Sequence, residues 1–246
     1  MAGDNGRGDP AAAALYPFLS AGRGDLGAVL AEVRRSTAEK AHEIVALRRL
    51  VAERDGDRLS ACARLMAARF AAGGRLLAFG NGGSATDAQD LARLFLSSPG
   101  AEPEPGYGGG GHPSRDIGRR PALPAFALPN DIAVVTALTN DIGFDVAFAR
   151  QIAAFGRRQD IAVGLSTSGN SGNLLRAFDE ASRRGLLTVG IAGYDGGKMA
   201  ELSTIDQLFV VPSPSVHRIQ EAQTTIYHVL WELTVDALEH GPQWEA

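Results

Sequence analysis

The 246-residue sequence has only one cysteine, Cys62, so it cannot form an internal disulfide bond. It has no excess of positive charge, since 24 Lys and Arg against 28 Asp and Glu give a net charge of -4. That balance gives no electrostatic basis for binding nucleic acid. No apolar run approaches the roughly 18 residues of a membrane-spanning helix. We therefore expect a protein of a reducing, cytoplasmic setting.

The length and the hydrophobic content of 45% suit one α/β domain with appendages. Residues 1–24 are rich in Gly, Ala and Asp, and we predict a flexible leader there. We predict a single domain over residues 25–242, interrupted by a Pro- and Gly-rich insertion at about 97–124. So long an insertion could be a lid, an oligomer contact or a disordered loop.

Apolar residues at three- and four-residue steps predict two long helices between residues 25 and 72. Beyond residue 75, short apolar runs alternate with helical patterns, and the type of the run 132–138 stays open. This alternation predicts an α/β fold, a three-layer sandwich in which helices cover both faces of a mostly parallel sheet. The strands are predicted at 75–80, 125–128, 160–166, 186–193 and 207–212, and the helices at 84–97, 144–156, 171–184 and 216–240.

The segment STSGNS, residues 166–171, follows a predicted strand and precedes a predicted helix. Its hydroxyl groups and the unpaired backbone N–H groups of the helix start are suitable donors for a phosphate. An ordinary helix cap would need only one hydroxyl. Four hydroxyls in six residues therefore favour an anion site, and they belong to Ser166, Thr167, Ser168 and Ser171.

A second glycine-rich turn, GNGGS, occupies residues 80–84 at the end of the first predicted strand. Gly82 and Gly83 permit tight backbone conformations, and the side chains of Asn81 and Ser84 can hydrogen-bond a sugar hydroxyl. Many α/β turns are rich in glycine, so this motif alone is only moderately specific. Two such turns at strand ends are more informative, because open α/β sheets bind ligands beyond the carboxyl ends of their strands.

Two further pairs of polar residues are candidates for the same site. Asn140 and Asp141 precede a predicted helix, where a capping role for the aspartate is an equally good interpretation. Gln220 and His228 lie eight residues apart in the last predicted helix, so they can share one broad face. A lone histidine on a helix is more often structural than catalytic.

Together these motifs resemble the SIS (sugar isomerase) family. Within it they resemble the phosphoheptose isomerase branch, which interconverts sedoheptulose 7-phosphate and D-glycero-D-manno-heptose 7-phosphate. The resemblance covers roughly residues 26–240. It rests on GNGGS at 80–84, DA at 87–88, ND at 140–141, STSGNS at 166–171, DGGKMAE at 195–201, RIQE at 218–221 and His228.

The resemblance implies homotetramers of flavodoxin-like subunits, with active sites at the subunit interfaces. It implies that the four hydroxyls of residues 166–171 hold the phosphate of the substrate. It also implies that the sugar contacts are made by Asn81, Gly82, Gly83, Ser84, Asn140, Asp141 and Gln220. In the family a metal, usually zinc, is held by a His and a Glu of the helix after GNGGS and by the Gln and His that match Gln220 and His228.

Two residues depart from the family pattern. Where the family has DAxHxAxE, this chain reads DAQDLARL, so Asp90 replaces the His and Leu94 replaces the Glu. That Glu is the proposed base of the family, and leucine cannot take a proton. Asp90, Gln220 and His228 could still form a metal site, since carboxylate and imidazole are both zinc ligands. The base could be Asp90, Asp141 or His228.

The leading hypothesis is an aldose–ketose isomerase that acts on sedoheptulose 7-phosphate through an enediol. His228 and Asp90 are its predicted catalytic residues. The alternative is a non-catalytic sugar-phosphate-binding or regulatory protein of the same fold, which Leu94 favours. A third hypothesis makes the chain one half of a hetero-oligomer whose other subunit supplies the missing groups.

Overall fold

The structure is a computed structural model that describes residues 26–97 and 122–241. The predicted leader and residues 98–121 of the predicted insertion lie outside the described residues. The described residues divide into two units, 26–45 and 46–241, which are treated separately below. The predicted domain boundaries remain predictions.

The first helix, α1, spans Leu26–Ala71 without interruption, so the prediction of two helices was wrong. The expected break falls near Gly56, whose cost of about 1 kcal/mol in a helix is too small to end it. The neighbouring Asp55 is fully buried and forms ion pairs with Arg54 and Arg58, which stabilise this turn.

Five parallel strands form one sheet in the order β2-β1-β3-β4-β5. Their bounds are β1 Leu76–Gly80, β2 Ala125–Ala127, β3 Ile161–Leu165, β4 Leu187–Gly193 and β5 Gln207–Val211. Strands β1, β3 and β4 are buried along their whole length, as expected for a parallel sheet covered on both faces.

Five further helices connect or follow these strands. They are α2 Gly83–Leu96, α3 Ile132–Asp141, α4 Ala147–Phe155, α5 Gly172–Arg183 and α6 Val216–His240. The run 132–138, whose type the sequence left open, thus lies in helix α3. Asp131 caps the start of this helix, and its side chain accepts a hydrogen bond from the backbone N–H of Val134 at 3.0 Å. Within the described ranges, every helix is too short or too polar to span a bilayer.

Aromatic side chains mark the packing of helices onto the sheet. On one face, Phe79 of β1 lies 5.8 Å from Phe148 of α4 and 5.2 Å from Phe178 of α5, measured between ring centroids. Elsewhere, Phe70 of α1 packs on Phe95 of α2 at 5.2 Å. The predicted fold class, helices on both sides of a parallel sheet, is confirmed.

A buried carboxylate fixes the start of β3. Asp160 is fully buried and accepts hydrogen bonds from the backbone N–H groups of Arg75 and Arg157, at 2.9 and 3.0 Å. The guanidinium of Arg75 also forms an ion pair with the Asp160 carboxylate, with a nitrogen–oxygen distance of 2.7 Å. This network joins the start of β1 to the start of β3. It therefore sets the register of the two strands relative to each other, and with it the level at which their carboxyl ends lie.

We expect Asp160→Ala to destabilise the protein by about 3 kcal/mol, because it leaves Arg75 and two backbone donors without their acceptor. Denaturant unfolding followed by circular dichroism measures the change. The matched control is Asp57→Ala, which removes an exposed carboxylate of α1 and should cost less than about 0.5 kcal/mol. Equal losses in the two variants would contradict the assigned role of Asp160.

Candidate active site

The strand order places a ligand crevice between β1 and β3. In an order of this kind the connections leave β1 and β3 in opposite directions, which opens a crevice beyond their carboxyl ends. Gly80 of β1 pairs with Leu165 of β3, so both strands end at the same level. The two motifs found in the sequence, GNGGS and STSGNS, therefore begin side by side.

A reciprocal pair of amides joins these two turns. Asn81 donates from Nδ2 to Oδ1 of Asn173, and Asn173 donates from Nδ2 to Oδ1 of Asn81, both at 2.9 Å. Asn173 is almost fully buried at the start of α5. The pair occupies one donor and one acceptor of Asn81, and its remaining amide hydrogen is free to meet a ligand.

The hydroxyl-rich turn is held in place from behind. Ser166 accepts a hydrogen bond from the backbone N–H of Gly169 at 3.0 Å, and Ser168 accepts one from that of Asn170 at 3.3 Å. Gly169 has a φ of +67°, and a Cβ there would lie 1.9 Å from the carbonyl oxygen of Gly196. Only glycine fits at this position, because the turn packs directly on the loop that follows β4.

The fully buried Gln223 of α6 supports the same turn. Its Nε2 donates to the carbonyl oxygens of Ser166 and Ile191, at 3.0 and 3.2 Å. These bonds tie the ends of β3 and β4 to the last helix. The turn is thus a rigid element before any ligand arrives.

Helix α6 also brings a cluster of polar side chains to α2. Asp90 accepts a hydrogen bond through Oδ2 from the hydroxyl of Tyr227 at 3.0 Å, and the same oxygen lies 3.5 Å from Nε2 of His228. Its Oδ1 accepts from Nε of Arg93 at 2.9 Å, with a second guanidinium nitrogen at 2.8 Å. Burial would raise the pKa of Asp90, but the hydrogen bonds from Arg93 and Tyr227 and the charge of Arg93 hold it below its usual value.

A second carboxylate, Asp87, lies one turn earlier on α2 in a different environment. The amide of Gln220 lies close enough to lower the pKa of Asp87, while its Oδ2 is buried without a partner among the described residues. Burial, opposed by the amide of Gln220 and assisted by the nearby charge of Asp90, raises the pKa of Asp87 to about 6. A carboxyl with such a pKa can both take and release a proton near neutral pH.

Gln220 lies against the first turn of α2. A Cβ built on Gly83 would lie 2.2 Å from Nε2 of Gln220, so the absence of a side chain at Gly83 makes room for that amide. The structure therefore brings Asp90 together with His228, and Gln220 together with Asp87. Among the residues that the structure describes, no three His, Cys, Asp or Glu side chains are grouped closely enough to hold a metal.

The remaining predicted site residues lie at different depths. Ser84 is buried in the first turn of α2, next to the amide pair. Asn140 and Asp141 lie at the exposed end of α3, where Asn140 donates to Oδ1 of Asp141 at 2.9 Å. Neither is hydrogen-bonded to the two turns within the described part of the chain, and their sugar contacts remain a prediction.

A cavity of about 720 Å³ lies outside this site, between α2, the edge strand β2, α3 and α4. Its walls include the apolar side chains of Leu96, Phe126 and Phe155. Neither of the two turns lines it, and none of the predicted site residues does. The crevice between β1 and β3, where the polar groups converge, is therefore the candidate active site.

A family model described as the SIS domain matches residues 41–103 and 114–193, more than half of the chain. The chain belongs to the SIS domain family. The family predicted from the sequence is confirmed, and the motifs that suggested it lie together in the fold.

Curated relatives narrow the family further. The chain is 45% identical over 169 residues to the phosphoheptose isomerase of Desulfovibrio desulfuricans, which is 69% of this chain and 71% of the relative. It is 41% identical over 203 residues to that of Nitratidesulfovibrio vulgaris, covering 82% of this chain and 88% of the relative. The chain is thus a member of the phosphoheptose isomerases, a family of sugar-phosphate isomerases with which a metal cofactor is consistent.

Solved structures agree with this grouping. The phosphoheptose isomerase GmhA of Neisseria gonorrhoeae superposes with a TM-score of 0.68 at 32% identity, covering 82% of this chain and 99% of that one. A phosphoheptose isomerase from Francisella tularensis gives a TM-score of 0.70 at 28% identity, covering 83% and 98%. The flavodoxin-like SIS fold is therefore shared over almost the whole length of both relatives.

Sequence reasoning missed four residues of this site. Asp87 stands three positions before Asp90, a spacing that places both on one side of a helix and could have drawn attention to it. Asn173, Gln223 and Tyr227 carry no such signal, because their roles depend on partners far away in the chain.

Two substitutions should move the pKa of Asp87 in opposite directions. Gln220→Leu removes a hydrogen bond to the ionised carboxylate and should raise the pKa above about 6. Asp90→Asn removes a neighbouring negative charge and should lower it. Carboxyl carbon chemical shifts measured by NMR against pH report the change, and shifts of equal sign in the two variants would disprove the assigned environment.

Proposed function

We propose that this protein interconverts sedoheptulose 7-phosphate and D-glycero-D-manno-heptose 7-phosphate. The observation that carries the proposal is the crevice between β1 and β3, where the hydroxyl-rich turn of residues 166–171 begins beside the turn that leads into α2, the helix of Asp87 and Asp90. A phosphate at the turn would leave the other end of the sugar to reach α2 and α6. The membership of the phosphoheptose isomerases supports the same substrate.

The phosphate would be bound by hydroxyl and backbone donors. Ser166 and Ser168 each accept a backbone hydrogen bond, which uses an oxygen lone pair and leaves the O–H hydrogen to donate. Ser171 precedes α5 without capping it through its side chain, so its hydroxyl is also available. Together with Thr167 and the N–H groups at the start of α5, they provide the hydrogen-bond donors that an anion requires.

We expect Ser171→Ala to weaken binding of sedoheptulose 7-phosphate by about 1.5–3 kcal/mol, roughly ten- to 100-fold, because a hydrogen bond to a charged group is lost. Titration calorimetry with the sugar phosphate measures the loss. Ser182→Ala, an exposed serine at the other end of α5, is the matched control and should bind as the wild type does. If both variants bind with unchanged affinity, the turn does not hold the phosphate.

Zinc is the ion that the family resemblance implies, with Asp90, Gln220 and His228 as its ligands. These residues do not fit a catalytic zinc site, which takes three protein ligands around one ion. Asp90 and His228 are 3.5 Å apart, but the amide of Gln220 is directed at Gly83 and Asp87. No step of the mechanism below is therefore routed through a metal.

The isomerisation needs a base that removes a proton from the carbon next to the carbonyl. Leu94 is buried and apolar, and Asp90 has both oxygens occupied by hydrogen-bond donors. Asp87 has a buried oxygen without a partner and lies beside Gln220 at the turn that would hold the sugar. We assign Asp87 as the base, and its pKa of about 6 suits that task.

The proton transfers return Asp87 and His228 to their starting states. Asp87 takes the proton from C2 of the aldose, and the electron pair of that C–H bond forms the C1–C2 double bond of the enediol. Protonated His228 donates a proton to the carbonyl oxygen as its double bond becomes single. Return of the proton from Asp87 to C1, and loss of the O2 hydroxyl proton to His228, gives the ketose. Asp90 would orient His228 through the contact of 3.5 Å between Oδ2 and Nε2.

Turnover tests both the function and this assignment. Purified protein should convert sedoheptulose 7-phosphate in a coupled assay, and Asp87→Asn should lower kcat at least about 100-fold with little change in KM. Wild-type turnover should fall as the pH drops below about 6, because Asp87 then carries a proton. The charged and titratable groups that face Asp87 are Asp90 on its own helix and Tyr227 on α6, with His228 beyond Asp90.

Asp57→Asn, in the exposed part of α1, is the control for loss of a carboxylate and should retain wild-type turnover. Full activity of Asp87→Asn would remove Asp87 as the base. An absence of turnover at any pH, together with thermal stabilisation by the sugar phosphate, would instead support the non-catalytic binding protein.

A homo-oligomer, and a tetramer with interfacial active sites in particular, belongs to the same proposal. Residues 26–45 of α1 expose four large apolar side chains, those of Val29, Leu30, Val33 and Val45. A surface helix with this composition is typical of a subunit contact. A cytoplasmic location is likewise proposed, on the strength of the composition alone.

A further inference from the structure

We propose that hydrogen bonds from Arg93 and Tyr227 hold the Asp90 carboxylate in position, so that this site works without a metal. In related sites, the residue at this position is held by a metal ion instead. The inference rests on the proposed function, because it concerns the active site of the proposed isomerase. Its evidence is the set of donors around a single carboxylate.

One oxygen of Asp90 is bound by a guanidinium. Nε of Arg93 donates to Oδ1 at 2.9 Å, and a terminal nitrogen of the same group lies 2.8 Å from that oxygen. A guanidinium is charged at every physiological pH, so the negative charge that would attract a cation is already balanced. A divalent ion bound at Asp90 would also stand close to this positive charge.

The other oxygen of Asp90 is bound by a phenol. The hydroxyl of Tyr227 donates to Oδ2 at 3.0 Å, and its ring is almost fully buried between α2 and α6. The phenol is a neutral donor, so it occupies this oxygen without adding a charge. A metal ion at this oxygen would have to compete with a part-buried hydrogen bond.

The remaining ligand positions are also changed. Leu94, one helical turn beyond Asp90, is buried and offers no lone pair. The amide of Gln220 is engaged with Asp87 at the first turn. The distance of 3.5 Å between Oδ2 of Asp90 and Nε2 of His228 would let these two share an ion. Metal binding at Asp90 is therefore disfavoured mainly by Arg93 and Tyr227, because both oxygens of the carboxylate already accept hydrogen bonds from them.

The consequence for the reaction concerns charge. An enediol intermediate places negative charge on the oxygens of C1 and C2, and a positive group must lie nearby. Here the nearest candidate group is the imidazole of His228, whose Nε2 lies 3.5 Å from Oδ2 of Asp90. Arg93 and Tyr227 act through Asp90, so they are positioning residues.

Zinc binding measured without substrate tests the inference. Wild-type protein, dialysed against metal-free buffer, should contain no stoichiometric zinc by elemental analysis. The double variant Asp90→His with Leu94→Glu restores the two family ligands and should bind zinc at least about 100-fold more tightly in titration calorimetry. Arg93→Met with Tyr227→Phe should also gain zinc affinity, because it frees both oxygens of Asp90.

Arg64→Met is the matched control for the loss of an exposed arginine and should bind zinc as weakly as the wild type. Circular dichroism confirms that each variant is folded. Zinc that stays bound to the wild type at one ion per chain, and that Asp90→Asn removes, would overturn the inference. So would a lack of any gain in both double variants when both are folded.

Turnover separates this inference from the proposed function. Wild-type activity that is unchanged by a chelator supports the inference, and activity that requires added zinc overturns it. If the protein has no isomerase activity under any condition, the proposed function fails, while the zinc titration still decides whether Asp90 is available to a metal.

Discussion

The carboxyl ends of β1 and β3 lie side by side, and every other feature of the site depends on that adjacency. Parallel pairing brings Gly80 level with Leu165, so the two turns that follow begin at one point of the sheet edge. The reciprocal amide bonds between Asn81 and Asn173 then fix the turns to each other. Without this link, the turns of residues 80–84 and 166–171 would be two unrelated loops on one sheet.

Helix α2 carries two carboxylates whose surroundings separate their roles. Asp90 accepts hydrogen bonds from Arg93 and Tyr227, which favour its ionised form. Asp87 is buried with one oxygen unpartnered, which favours its protonated form and leaves it able to exchange a proton near neutral pH. A pair of acidic groups that differ in this way is a frequent basis for dividing acid–base and electrostatic tasks within an active site.

The loss of the family glutamate at Leu94 is accompanied by compensating contacts around it. The neighbouring Arg93 binds Asp90, and Tyr227 reaches the same carboxylate from α6. Arg93 and Tyr227 thus bind the carboxylate that stands in place of the family histidine, while Leu94 is buried as an apolar side chain.

The sequence by itself determined the order of strands and helices after residue 75, the two turns and the family, because glycine, hydroxyl and apolar residues impose local conformations wherever they occur. It misjudged α1, where the ion pairs of the buried Asp55 carry the helix past Gly56. It left the base open among Asp90, Asp141 and His228 and did not single out Asp87. Only the tertiary structure could distinguish these two carboxylates, because their proton affinities depend on burial and on partners that α6 brings from more than 130 residues away in the chain.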